Sequence, residues 1–168
     1  MILGLDVSTS KIGIAIVDGD KNLIYCDVFK CKKDELEERA SSFCTSQLDK
    51  IKNEHHITEI RIEESLFKFQ RGKTSAKTMA NLQRFNGMIS MMLYDKFGKL
   101  PIKVNFTNAR ARRGIKVPKG ENIKLKVIEW VSEKYPELFQ VEYTKHGNPK
   151  PGTDDKADAI IIALSHFD

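Results

Sequence analysis

The chain has 168 residues, about the length of one domain, and is long enough to bury a hydrophobic core. With 40% hydrophobic and 30% charged residues its composition is that of a soluble globular protein, which excludes a disordered chain. Its net charge of +5 is unevenly spread. From Ser65 to Tyr94 every charged residue is basic (Lys68, Arg71, Lys73, Lys77 and Arg84), and Lys96 to Ile128 holds ten basic residues against one acid, Glu121. Lysine and arginine gathered in this way mark a face for a polyanion.

No apolar run approaches the roughly 20 residues needed to cross a bilayer, and the first residues lack a signal-peptide pattern. Cys26, Cys31 and Cys44 are odd in number and without CxxC spacing. That argues against a disulfide framework or a zinc site, and for reduced thiols in a cytoplasmic compartment.

Residues 1–31 read as a three-strand meander. An apolar strand ends at Asp6-Val7, isoleucines alternate from Ile12 to Ile16, and Asp18-Gly19-Asp20 signals the hairpin into a third strand. One helix is expected from about Asp34 to Glu54, with Leu36, Ala40, Phe43, Leu48 and Ile51 as its apolar stripe. Ile57 to Glu63 is the fourth strand. A helix capped by Thr74 or Ser75 follows, carrying Met79, Leu82, Phe85, Ile89 and Leu93. Pro101–Phe106 is the fifth strand, Thr107–Arg113 a short helix, and Glu121–Tyr135 a longer one. A loop over 144–153 precedes the terminal helix. This order predicts a single α/β domain over 1–168. Its mixed five-stranded sheet, an antiparallel meander followed by parallel strands, is flanked by helices.

Four carboxylates stand where elements end: Asp6 and Glu63 close strands, and Asp155 and Asp158 open the last helix three residues apart, on one face. In such a sheet neighbouring strand ends share a site. Acids there are costly unless compensated, and a set of hard oxygen donors suits magnesium or manganese better than zinc. Two such ions would serve phosphodiester hydrolysis. Taken singly, Asp155 and Asp158 also read as acids complementing a helix N-terminus, Asp6 as a cap at Thr9, and Glu63 as a partner for a lysine. Glu64 and Asp154 are neighbouring candidates that the sequence does not eliminate.

Together these residues resemble the RuvC-type Holliday-junction resolvases of the ribonuclease H-like superfamily over nearly the whole chain. Ile2–Thr9 resembles the first motif, a strand ending in Asp before a small-residue turn. Ile62-Glu63-Glu64 resembles the second, Lys73–Gly87 the helix after it, and Asp155-Lys156-Ala157-Asp158-Ala159 the closing motif. The resemblance implies a metal-dependent endonuclease that resolves four-way DNA junctions by paired symmetric cuts, leaving 5′-phosphate and 3′-hydroxyl ends. It implies Asp6, Glu63, Asp155 and Asp158 as ligands of two Mg2+ ions, with Mn2+ as substitute and no small-molecule cofactor. DNA contacts would come from Arg113 and Lys124, with Arg112 and Lys116 as helpers, and from the aromatics Phe67 and Phe69; Arg71 and Lys73 belong to the first basic cluster. A homodimer would form through the helix over 74–93, with Met88, Met91 and Met92 at the interface.

The sequence departs from the family pattern in two places. Val7-Ser8-Thr9 replaces the usual Pro-Gly-Thr, and the 144–153 loop is longer and more polar than expected, which bears on substrate recognition. The alternatives are a nuclease of the same fold cutting flaps, other branched DNA or RNA–DNA hybrids, and a non-catalytic nucleic-acid-binding module. Sugar kinases and actin-like ATPases share the first motif, but they need two such domains.

Overall fold

The computed structural model describes residues 1–64 and 75–167. Five strands, β1 (Ile2–Val7), β2 (Lys11–Val17), β3 (Leu23–Lys30), β4 (Glu59–Glu63) and β5 (Ile102–Val104), form one sheet in the order β3-β2-β1-β4-β5. The meander pairs antiparallel, while β1–β4 and β4–β5 are parallel, as the sequence predicts. The meander's first turn is held by Ser8, whose hydroxyl accepts from Lys11 N and donates to Lys11 O. In the second turn the positive φ falls on Lys21 (67°) and not on Gly19. Asp18 accepts from the amides of Asp20 and Asn22 and so fixes the backbone there.

The long helix expected over 34–54 is divided into α1 (Leu36–Phe43), a π-helical turn (Cys44–Leu48) and α2 (Asp49–Glu54). Thr45 and Ser46 hydroxyls donate to the carbonyls of Ser41 and Ser42, competing with the backbone where the ladder loosens. The remaining helices are α3 (Ala76–Phe97), α4 (Phe106–Arg112), α5 (Ile123–Lys134) and α6 (Thr153–Leu164). Ser75 caps α3, and Gly98 (φ 67°) ends it one turn beyond the expected stop. The fifth strand is shorter than expected because Asn105 becomes the N-cap of α4, drawing Phe106 into the helix. Asn122 likewise starts α5 later, its side chain accepting from Lys124 N. The fourth strand also starts late, since Thr58 N bonds Met1 O ahead of it. The expected 144–153 loop folds back on the residues before it: Tyr143 and Pro149 form an isolated bridge, tightened by a Lys150–Glu142 ion pair of 2.5 Å.

Each face of the sheet has its own core. Leu3, Leu5, Ile12, Ile14, Ile60 and Ile62 pack with Phe43 and Phe85 of α1 and α3. Ile2, Ala15 and Val17 pack with α5 and with Ala159, Ile160 and Ala163 of α6. Strand alternation therefore turns Ile2, Gly4 and Asp6 toward α6.

Candidate active site

Two glycines bring α6 down onto the sheet. A Cβ at Gly4 would lie 2.4 Å from the Ala159 carbonyl oxygen, and one at Gly13 would lie 2.0 Å from that of Asp155. Only a residue without a side chain allows helix and strand backbones to approach this closely. Gly13 is also the register partner of Asp6, so the contact that seats α6 sets Asp155 beside Asp6. Asp158 follows one turn later. On the other side of β1, Leu5 pairs with Ile62, which places Glu63 next to Asp6 at the end of the parallel strand. The four carboxylates predicted from the sequence are thus gathered at one end of the sheet, under the first turn of α6.

Their electrostatics are mutually unfavourable. Burial, then the charges of Glu63 and Asp158, push the Asp6 carboxyl well above its ordinary range, and Asp155 adds to this. Burial also raises Glu63, partly offset by a side-chain hydrogen bond with Asp6, which requires a proton on one of the pair. Asp158 is pushed up to about 8 by burial and by Glu63, against the nearby Lys124. Among the described residues, no three Asp, Glu, His or Cys side chains already converge closely enough to hold one metal ion. The donor set nonetheless fits a hard divalent cation: all its atoms are carboxylate oxygens, and positive charge is what they lack.

Two lysines flank the cluster. Lys11 donates to Asp155 at 2.7 Å, and Lys124 to Asp154 at 2.5 Å. Its hydrogen bond to Asp154 lifts Lys124 above its usual value, and Asp154 falls below its own because the Lys124 contact outweighs burial. Asp154 therefore serves as the partner of Lys124, and Glu64 is exposed, its amide bonded to Val104 O. Lys11 was not singled out by sequence, since no spacing rule links residue 11 to residue 155. Its one signal is that it shares the strand face of Gly13.

Arg112 lines a cleft of about 320 Å³ with Arg61, Lys103, Asn105, Asn108 and His166 at the β5 edge. Lys116 is exposed in the loop after α4. Arg113 is half-buried; burial lowers its pKa, with Tyr135 opposing. Phe67, Phe69, Arg71 and Lys73, and Thr74 as an alternative cap, lie outside the described residues.

The sheet order and the helix crossing the strand ends give a mixed α/β sheet of the ribonuclease H-like fold class. Solved structures share the fold, two of them as follows. T. thermophilus RuvC in complex with Holliday junction substrate matches with a TM-score of 0.66 at 16% identity, over 99% of this chain and 91% of that one. The yeast mitochondrial Holliday junction resolvase Ydc2 matches at 0.61 and 14% identity, over 98% and 76%. No family model matches the chain. Among curated proteins, the crossover junction endodeoxyribonucleases RuvC of Aliarcobacter butzleri and Campylobacter jejuni are each 30% identical to it. They align over 98% of this chain and over 96% and 92% of their own lengths. The chain belongs to the RuvC family of crossover junction endodeoxyribonucleases.

Proposed function

We propose that this protein resolves four-way DNA junctions by paired, symmetric phosphodiester hydrolysis, and that Asp6, Glu63, Asp155 and Asp158 hold two Mg2+ ions for it, with Mn2+ as a substitute. The observation that carries the reading is the gathering of four carboxylates from β1, β4 and α6 at one end of the sheet, where burial and neighbouring acids push Asp6 and Asp158 up. Bound divalent ions would supply the positive charge that activates water and stabilises the leaving oxygen. The chain's own part is to fix that geometry. The β1–β4 register sets Asp6 beside Glu63, and the glycine-seated α6 brings Asp155 and Asp158 over them. In the reaction a water oxygen bonds to phosphorus while the bond to the 3′ oxygen breaks, leaving a 5′-phosphate and a 3′-hydroxyl.

Arg112, Lys116 and Lys124 are exposed cations suited to backbone phosphates, and Arg113, Phe67, Phe69, Arg71 and Lys73 are assigned to DNA from sequence. Symmetric incision needs two sites, hence a twofold homodimer. Helix α3 is the expected interface: Met91 is 56% and Tyr94 45% exposed, and Met88 and Met92 are only partly covered by their own core.

The test is incubation with labelled four-way junction, flap, duplex and RNA–DNA hybrid, with and without Mg2+ or Mn2+. Symmetric nicks in the junction, lost in Asp6→Asn, support resolution. Equal cutting of flaps or hybrids points to a broader nuclease, and binding without cleavage in either metal to a non-catalytic module.

A further inference from the structure

Lys11 stands apart from the other cations near the site because its position is fixed from both ends. Its backbone is held by the Ser8 hydroxyl, which accepts from Lys11 N at 3.1 Å and donates to Lys11 O at 2.8 Å. The turn before it is clamped by Arg39, whose guanidinium donates to Thr9 O at 2.7 Å. Strand alternation points Lys11 to the face of Gly13, over which the Asp155 backbone lies. Its ammonium then reaches Asp155 Oδ2 at 2.7 Å, with the two side chains 28% and 12% exposed. Among the described residues, Asp6, Glu63 and Asp158 have no such ion pair, and the nearest other lysine pair, Lys124–Asp154, takes the adjacent acid.

The ammonium on Asp155 Oδ2 takes up charge that a divalent ion would otherwise draw on, and two cations held at one carboxylate repel each other. Resting on the metal-site reading above, we propose that Lys11 is a positioning residue: it serves as the resident counter-cation of Asp155 and competes with divalent metal for that carboxylate. It holds Asp155 in place over the sheet, and its charge opposes that of an ion bound to the same carboxylate. Lys11 therefore sets how much metal the site requires.

The experiment is a Mn2+ titration of DNA-free protein, followed by thermal shift and by calorimetry, on wild type, Lys11→Met, Lys11→Arg and Asp6→Asn. Loss of a partly exposed ion pair predicts a half-saturating Mn2+ concentration about fivefold lower in Lys11→Met, with Lys11→Arg within about twofold of wild type. The metal-free melting temperature of Lys11→Met falls, while its gain on adding Mn2+ grows. A purely structural lysine would lower the metal-free melting temperature and leave the half-saturation point alone. Unchanged or weakened Mn2+ binding in Lys11→Met, with wild type binding normally and Asp6→Asn not, would overturn the Lys11 proposal alone. Absence of Mn2+ binding in wild type would overturn the metal-site reading and this proposal with it.

Discussion

Glu59 and Glu63 occupy the same strand and face, four residues apart, and live in opposite environments. At the β4 N-terminal end burial pushes Glu59 up, but hydrogen bonds from Arg61 and His166 overcome it and hold the carboxyl below its usual value. Arg61 also donates to Ser165 Oγ at 3.0 Å, so this network ties the C-terminal turn to the sheet. At the other end Glu63 has Asp6 as its hydrogen-bonded neighbour, and burial leaves it raised. The two ends of α6 thus separate an acid used to close a structure from acids kept under electrostatic tension. Burial raises both; in Glu59 two basic partners outweigh it, and in Glu63 a single hydrogen bond with another carboxyl does not.

Breaking each end should therefore have different consequences. On the proposed role of Asp6 as a metal ligand, Asp6→Asn is expected to lower junction cleavage by at least about 1,000-fold, a loss of several kcal/mol of transition-state stabilisation. Its metal-free melting temperature should rise, because one member of a repelling set is neutralised. Glu59→Gln, about 13 Å away along the strand, is expected to leave cleavage within about threefold and to cost about 1 kcal/mol of stability. Cleavage assays paired with chemical denaturation measure both. Equal loss of cleavage in the two variants would erase the distinction.

The seating of α6 gives the next largest effect. Gly13→Ala would place a methyl group 2.0 Å from the Asp155 carbonyl oxygen, backbone against backbone, where no rotamer offers relief. Overpacking of this kind costs roughly 1–3 kcal/mol. Because the helix must lift at the turn that carries Asp155, cleavage should fall further than stability alone explains. A Gly13→Ala protein with normal cleavage would show that the glycine contact does not set the carboxylates.

The pH dependence of stability should also differ between the ends. A carboxyl whose folded-state pKa lies above its unfolded value binds its proton more tightly when folded. The folded state is then penalised progressively as pH rises through the window between them, which for Asp158 runs from 3.8 to about 8. Metal-free protein should melt a few degrees lower at pH 8 than at pH 6. The difference should shrink in Asp158→Asn and on adding Mg2+. Glu59, lowered from 4.5, works in the opposite sense: its contribution is lost only as pH falls through its lowered value, so Glu59→Gln should leave the slope between pH 6 and 8 intact. Melting curves across pH test both signs.

Much of this was legible in the chain because it is local. The meander, the parallel order that follows it and the placement of acids at element ends all rest on alternation and turn chemistry within a few residues. Residues read as buried, such as Phe43, Phe85 and Ile89, lie in the core. What escaped depends on contacts between distant segments. The π-helical turn comes from hydroxyl–carbonyl competition inside a stripe that otherwise reads as one helix. The Lys11–Asp155 pair spans 144 positions, and Gly13 reads only as one small member of an alternating strand. The assignment of Asp154 to Lys124, which separates it from Asp155, likewise needs the packing of α5 on α6.

Lys124 is where the smallest effect is expected and where the two kinds of charge meet. It is bonded to Asp154, yet its side chain is 63% exposed against 21% for its partner, so the pair leaves much of the ammonium facing outward. An exposed pair of this kind is worth little to the fold, and Lys124→Ala should change stability by no more than about 0.5 kcal/mol. If the ammonium also meets a phosphate of the junction, its removal releases about one fewer counterion on binding. The slope of log affinity against log salt should then flatten by about 0.9, with a modest loss of affinity at low salt. Binding isotherms between 50 and 200 mM salt, in Ca2+ to prevent cleavage, read that slope directly. A slope equal to that of wild type would confine Lys124 to holding Asp154 and leave the phosphate contacts to the other basic residues.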